Sequence, residues 1–360
     1  MLGSMKKPRT QLSRSSLFRS RPAEDLFVQQ SRESRLTSYV VNLAAMDGLV
    51  DFAAVSAAVD QACPRGDGSQ GGRPPYPTET MVRIVFLQAL YNLSDEAFEH
   101  QLLDRLSFQH FCRLDGALNV PDARTVWRFK QRLAAGALGG KAIFDSVSRQ
   151  LQGRGYIARG GQIVDASIVQ APVAQVSSEE RKALDAGETP KDFSAKQMAH
   201  TDRDARWTKK HGKSHYGYKL HSNVDARYKL IRKIRVTPAN VDDGKTLKQV
   251  LDTPNTGSRL LADRGYDSQA NRDLLRAFGL NDGIGRRAKV GQERKVRLNA
   301  RNQTINRVRA RVEHVFAGLS QLGRKVVRAM TLARNELAIT LKCVVYNARR
   351  WAWLAANDPA

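Results

Sequence analysis

The sequence predicts an α/β protein: a mixed sheet with flanking helices, preceded by an α-helical region. Three observations carry this. Residues 39–155 show apolar spacing at the helical period. A short β-branched run at Gln162–Val169 and strand-like runs at His215–Val224, Tyr228–Thr237 and Arg259–Ala262 begin only after residue 156. Two of these runs form a hairpin and the later ones alternate with helical patterns, which argues for strands of both directions covered by helices.

Residues 1–38 form a basic arm in which Lys6, Lys7, Arg9, Arg14, Arg19 and Arg21 precede the first acid, Glu24. Such a segment is flexible and phosphate-seeking when alone. Residues 39–155 form a helical region. Tyr39–Ala62 carries a weak pattern through Leu43, Met46, Leu49, Phe52, Val55 and Val59. Residues 63–77 are a linker dominated by Gly and Pro. Glu79–Tyr91 is a helix with Met81, Ile84, Val85, Leu87 and Leu90 as its apolar positions. Ser94 caps a helix carrying Phe98, Leu102 and Leu103. Pro121 and Asp122 open another, with Val126, Phe129 and Leu133 on one face and Arg124, Arg128 and Arg132 on another. A basic last helix suits a DNA-binding module. Plain helix packing with solvated arginines is the equal alternative.

Residues 156–330 hold the sheet. Asp225, Ala226 and Arg227 make the hairpin turn. Residues 177–210 are polar and non-periodic, so a long loop or disordered insertion is expected. Helices are expected over Ser268–Phe278 and Thr304–Leu322, with a short strand or loop at Asn281–Gly285. Residues 331–360 carry a final amphipathic helix from about Asn335 to Leu354.

Charge narrows the partner. The 59 Lys and Arg against 35 Asp and Glu leave a net +24 and a pI near 10.3, far beyond an ordinary domain, so a polyanion is expected and nucleic acid is the commonest one. Cys63, Cys112 and Cys343 are widely spaced, and no Cys-x2-Cys pair exists, so neither a disulfide framework nor a zinc ribbon is suggested. No secretory h-region opens the sequence, and no uninterrupted apolar run reaches about 18 residues. A cytoplasmic protein with no membrane span is the expectation.

Three acids stand out on this basic background: Asp165 in QIVDASIVQAP, Asp263 in SRLLADRGYDS and Glu313 in RVRARVEHVFAGL. Asp165 lies in mid-strand, where Asp is disfavoured and a buried charge needs a partner or a metal. Asp263 ends an apolar run, a position that a turn cap would equally explain. Asp267 is near enough to be a rival. Glu313 borders the apolar face made by Ile305, Val308, Val312, Val315, Phe316 and Leu319, with Arg309 one turn earlier and Asn306 at i−7. An ordinary i, i+4 ion pair of Arg309 with Glu313 is the plain alternative. Carboxylate oxygens suit hard cations such as Mg²⁺, and two such ions can activate the attacking oxygen and stabilise the leaving oxygen of a phosphodiester.

The ordered set of segments resembles the DDE transposases of bacterial insertion sequences, in particular the insertion-sequence-five family. GGRPPYPTETMVRIVFLQALYNLSDEAFE and VPDARTVWRFKQRL resemble its N-terminal helical region. GGQIVDASIVQAP resembles the strand with its first Asp, and KKHGKSHYGYKLHSNVDA the strand that follows. LLADRGYDS resembles the segment with its second Asp, and RARVEHVFAGL that with its Glu. The resemblance implies a ribonuclease H-like fold for residues 156–330 and DNA binding or dimerisation for residues 39–155. It implies Asp165, Asp263 and Glu313 as catalytic metal ligands, using two Mg²⁺ ions for which Mn²⁺ can substitute. A homodimer on double-stranded DNA, both transposon terminal repeats and target, follows in a bacterial nucleoid-associated setting. In the wider Tyr-x2-Arg-x3-Glu-x6-Lys signature Arg309 and Glu313 fit. Asn306 replaces the Tyr and Ser320 the Lys, which leaves Arg324 or Lys325 for DNA.

The chemistry implied is strand cleavage at the element's ends and attack of the freed 3′-OH on target DNA. Trp207, Tyr216 and Tyr218 with Lys209, Lys210, Lys213 and Lys219 are candidates to line the strand near the cut, and packing explains them equally well. Two other readings stay open: a DNA-binding regulator with an inactive transposase fold, and a Mg-dependent endonuclease without joining activity.

Overall fold

Helix signals in the first half are realised with their caps. The computed structural model describes residues 31, 34–35, 43–65, 74–156, 161–210, 212–253, 259–287 and 295–357. The chain divides into Met1–Asn42 and Leu43–Ala360. Of the first unit, residues 31 and 34–35 are described, and all three are helical. The expected arm of Lys6 to Arg21 lies outside the described residues.

In the second unit α1 (Leu43–Leu49) and α2 (Phe52–Ala62) lead into α3 (Thr78–Tyr91), α4 (Asp95–Asp104), α5 (Leu106–Phe111), α6 (Ala123–Ala134) and α7 (Leu138–Gly153). Asp51, Ser94 and Asp122 each accept a hydrogen bond from the backbone N–H three residues on, at 2.9, 3.1 and 2.7 Å. Arg83, buried on α3, reaches Asp47 and Glu79 and stacks on Phe52, so the centre of the helical region is tied by a neutralised cation.

The sheet contains β1 (Gln162–Gln170), β2 (Arg206–Lys210), β3 (Lys213–Asp225), β4 (Ile231–Pro238), β5 (Arg259–Ala262) and β6 (Asn281–Ile284). β3 pairs antiparallel with β1 on one edge and with β2 and β4 on the other. β5 lies parallel to β1, and β6 parallel to β5. With β2 set aside as a hairpin addition, three antiparallel strands precede two parallel ones, and β1 sits at the centre. That is the ribonuclease H-like order. One face carries Ile163, Val169, Leu220, Val224 and Leu261 and shares a core with the helical region. The other carries Val164, Leu260 and Ala262 beneath α10 (Leu247–Val250) and α11 (Gln269–Ala277).

Three readings change. Residues 177–210 are ordered, with α8 (Ser178–Ala186), α9 (Ala195–His200) and β2. Capping boxes start both helices, Ser177 with Glu180 and Ser194 with Gln197. The single helix expected over Thr304–Leu322 is two, α12 (Lys295–Arg309) and α13 (Arg311–Gln321). The last helix, α14, spans Leu332–Asn357 and buries Leu337, Leu341, Val344, Val345 and Trp351. It packs on α3, α6, α7 and β4 and so joins the helical region to the sheet.

Asp202 locks that join. Its buried carboxylate accepts from Tyr218 Oη and Asn335 Nδ2 at 2.7 Å and from the Thr331 and Asp204 amides at 3.1 Å. An anion thus sits at the start of α14, where its positive end favours one.

Candidate active site

A notch in the central strand forms the site. β5 accompanies only Gln162, Ile163 and Val164 of β1, with Val164 beside Ala262. At the far end of β1 the segment through Val326 takes over: Gln170 donates to the Lys325 carbonyl and accepts from the Val327 amide, both at 2.9 Å. Asp165, still paired with Ser222 of β3, and Asp263 each come directly after the last pair of the β1–β5 ladder, Val164 with Ala262, so they stand side by side where β5 stops. The residues just before them, Ile163 and Val164 on β1 and Leu260, Leu261 and Ala262 on β5, are buried, while Ala166 is half-buried and Arg264 exposed.

Burial dominates the electrostatics. It pushes the Asp165 carboxyl up to about 6; Arg309 and the Ala166 amide pull back, Asp263 adds to the rise, and Lys210 lowers it. Arg309 Nη1 donates to Asp165 Oδ2 at 2.5 Å. Asp165 Oδ1 accepts from the Ala166 amide at 2.8 Å, and Asp263 Oδ1 from the Gly265 amide at 2.8 Å. Asp263 is therefore a turn cap as well as a member of the pair. Below them Tyr266 is fully buried, and among the described residues its hydroxyl has no partner. Burial first, then Asp243, Asp165 and Asp263, hold that phenol far above its ordinary range.

Glu313 lies on α13, which packs on β1, and its side chain is exposed. Among the described residues no three His, Cys, Asp or Glu side chains gather closely enough to share a metal ion. The structure thus brings two of the three acids together and leaves Glu313 outside the pair. Asp267 is engaged elsewhere, by Arg272 and by the Arg287 amide at 3.0 Å.

The residues assigned to DNA divide by what they touch. Arg124 and Arg128 are exposed on α6, as are Lys209 and Lys213 at the β2–β3 turn and Arg324 and Lys325 beside the notch. Burial and then Lys210 lower Lys325, while Asp165 raises it, so both lysines face the acid pair's surroundings. Asn306 is exposed on α12. Four others hold the protein together. Arg132 bonds Asp60 at 2.8 Å and the Cys63 carbonyl. Lys219 bonds Asp243 at 2.9 Å and the Val241 carbonyl at 2.8 Å. Arg309 holds Asp165. Tyr216 is buried and donates to the Asp202 carbonyl at 2.6 Å. Tyr218 is equally buried, and Trp207 is sandwiched between Arg181 and Tyr216.

Sequence reasoning missed Tyr266. Its signal was its place three residues after Asp263 in a run that buries its apolar members. The donor chemistry fits a hard divalent cation: two adjacent carboxylates, with phosphate oxygens from a substrate, are what Mg²⁺ takes. Asp165 is already neutralised by Arg309, so a cation here would have to take the place of that guanidinium.

Among the described residues no helix is long and apolar enough to cross a membrane. Residues 30–132 match the family described as Transposase domain (DUF772). Residues 158–348, more than half of the chain and including β1, β5, α13 and most of α14, match the family described as Transposase DDE domain. With its ribonuclease H-like sheet and its paired acids, the chain belongs to the DDE transposases.

Proposed function

We propose that this transposase is that of a bacterial insertion sequence of the insertion-sequence-five family, acting on the nucleoid. It cuts DNA at the element's ends and joins the freed 3′-OH to target DNA as a homodimer. The observation that carries the reading is the side-by-side placement of Asp165 and Asp263 at the notch where β5 ends.

Asp165 and Asp263 would hold Mg²⁺, or Mn²⁺ in its place, and Glu313 would complete the set for a second ion. When bound, the metal activates the attacking oxygen and stabilises the leaving one, so no protein nucleophile is required. The chain's own residues do the positioning. Arg324 and Lys325 hold phosphates on one side of the notch, and Lys209 and Lys213 hold them at the β2–β3 turn. Arg124 and Arg128 engage the duplex from α6. Tyr266 keeps its proton throughout, because burial among three acids disfavours the phenolate.

The test uses purified protein, Mg²⁺, a donor plasmid carrying the chain's gene with its flanking DNA, and a target plasmid. The wild type cuts and joins. Asp165→Asn, Asp263→Asn and Glu313→Gln keep DNA binding and lose both steps. Cleavage retained by one variant removes that residue from the site. Cutting without joining by the wild type supports the endonuclease reading, and neither step supports the regulator.

A further inference from the structure

Arg309 occupies the place beside Asp165 that a cation needs. Its Nη1 is 2.5 Å from Asp165 Oδ2, and the two side chains are only 20% and 16% exposed. Its Nε is buried and has no acceptor among the described residues, so that donor of the guanidinium is unused. The helix behind it is anchored. Arg301, two turns back on α12, donates to the Ile284 and Asp282 carbonyls at 2.8 and 2.9 Å. Asn302 exchanges two 3.0 Å bonds with the backbone of Arg286. These contacts clamp α12 to the outer edge of β6, so the long Arg309 side chain can move while its backbone stays.

A guanidinium and a divalent cation repel each other at one carboxylate, and both cannot neutralise Asp165 at close range. A phosphate offers the guanidinium a better match. Two oxygens can accept from Nη and from the unused Nε together, the bidentate geometry in which Arg excels. Lys210 and Lys325, near enough to Asp165 to affect it, draw a phosphate to the same mouth.

We propose that Arg309 is a displaceable counter-ion: in the DNA-free chain it holds Asp165 closed to divalent metal, and a DNA phosphate entering the notch takes the guanidinium and opens Asp165. Metal and DNA then bind cooperatively, each favouring the arrangement the other needs. This rests on the reading that Asp165 and Asp263 hold the metal.

The experiment is a Mn²⁺ titration of the DNA-free protein, read by electron paramagnetic resonance. It compares the wild type, Arg309→Gln, Arg309→Lys, and each of these with Asp165→Asn. Circular dichroism checks that every variant is folded. The expected result is that Arg309→Gln binds Mn²⁺ at least tenfold more tightly than the wild type, with Arg309→Lys in between. Adding Asp165→Asn removes the gain. Equal, Asp165-dependent affinity in the wild type and Arg309→Gln overturns the counter-ion role and leaves the metal site standing. Mn²⁺ binding that Asp165→Asn does not change in any background, or no binding at all, overturns the metal reading and the counter-ion role with it.

Discussion

Replacing Asp165 by Asn should make the metal-free, DNA-free protein more stable. The carboxyl rises from an ordinary 3.8 to about 6 on folding, and burial is the main cause. The folded state therefore holds a proton that the unfolded chain has already released. Stability falls as pH rises through the window from about 4 to about 6 and stays lower above it. A shift of about two pKa units corresponds to roughly 3 kcal/mol at 1.36 kcal/mol per unit. The pull of Arg309 is already inside that figure, since it acts on the same carboxyl. Asn resembles the protonated form, so at pH 8 the variant should gain on the order of 3 kcal/mol. At about 2.1 cal/mol/K of unfolding entropy per residue, this is a rise in Tm of about 4 °C for a chain of this length. The assay is thermal or urea unfolding of wild type and variant from pH 4 to 8 with EDTA. The two curves should coincide near pH 4 and separate by pH 7. Other acids raised by burial, such as Asp225 and Glu336, cancel in the comparison. A variant that is less stable than the wild type at pH 8, or a gap that does not change with pH, would refute the claim that Asp165 is ionised in its site against the cost of burial.

Two further outcomes follow from the contacts. Arg128→Ala should lower the slope of log affinity for duplex DNA against log salt by about 1, the loss of one phosphate contact, whereas Arg132→Ala should leave the slope unchanged and lower stability, because Arg132 ties α6 to Asp60 and Cys63; filter binding at several salt concentrations, with urea unfolding in parallel, separates the two. Asp202→Ala should cost roughly 3–5 kcal/mol in urea unfolding, since Tyr218, Asn335 and the Thr331 amide lose a buried acceptor together; a loss below about 1 kcal/mol would contradict the role given to that carboxylate in joining the β2–β3 hairpin to α14.

What could be read from the sequence depended on how local each signal is. Asp165 and Asp263 were visible because a charge that interrupts a β-branched run or ends an apolar one is conspicuous within a few residues. Their adjacency was not visible, because it comes from the parallel register of β1 with β5, two segments joined by a long stretch of chain. The mixed sheet followed from hairpin and strand–helix patterns, which are again short-range, whereas the order of the strands was implied only by the family resemblance. α8 and α9 escaped notice because they are polar and lack an apolar period; their capping boxes at Ser177 and Ser194 were the only local sign. Arg132, Lys219 and Tyr216 were assigned to DNA by residue type, while the structure gives them partners on distant segments: Asp60, Asp243 and the Asp202 carbonyl. Tyr218 shows the same limit, since an aromatic beside lysines looks like a stacking residue until its buried bond to Asp202 is seen. The exposed position of Glu313 and the hold of Arg309 on Asp165 are likewise tertiary facts.

Anomalous diffraction from crystals of the protein grown with duplex DNA and MnCl2 addresses the acid pair most directly. A manganese peak bridging the carboxylates of Asp165 and Asp263, with Arg309 turned away onto a phosphate, is the expected result. A peak ligated by neither aspartate, or an unchanged Arg309–Asp165 pair with Mn²⁺ bound elsewhere, would contradict it.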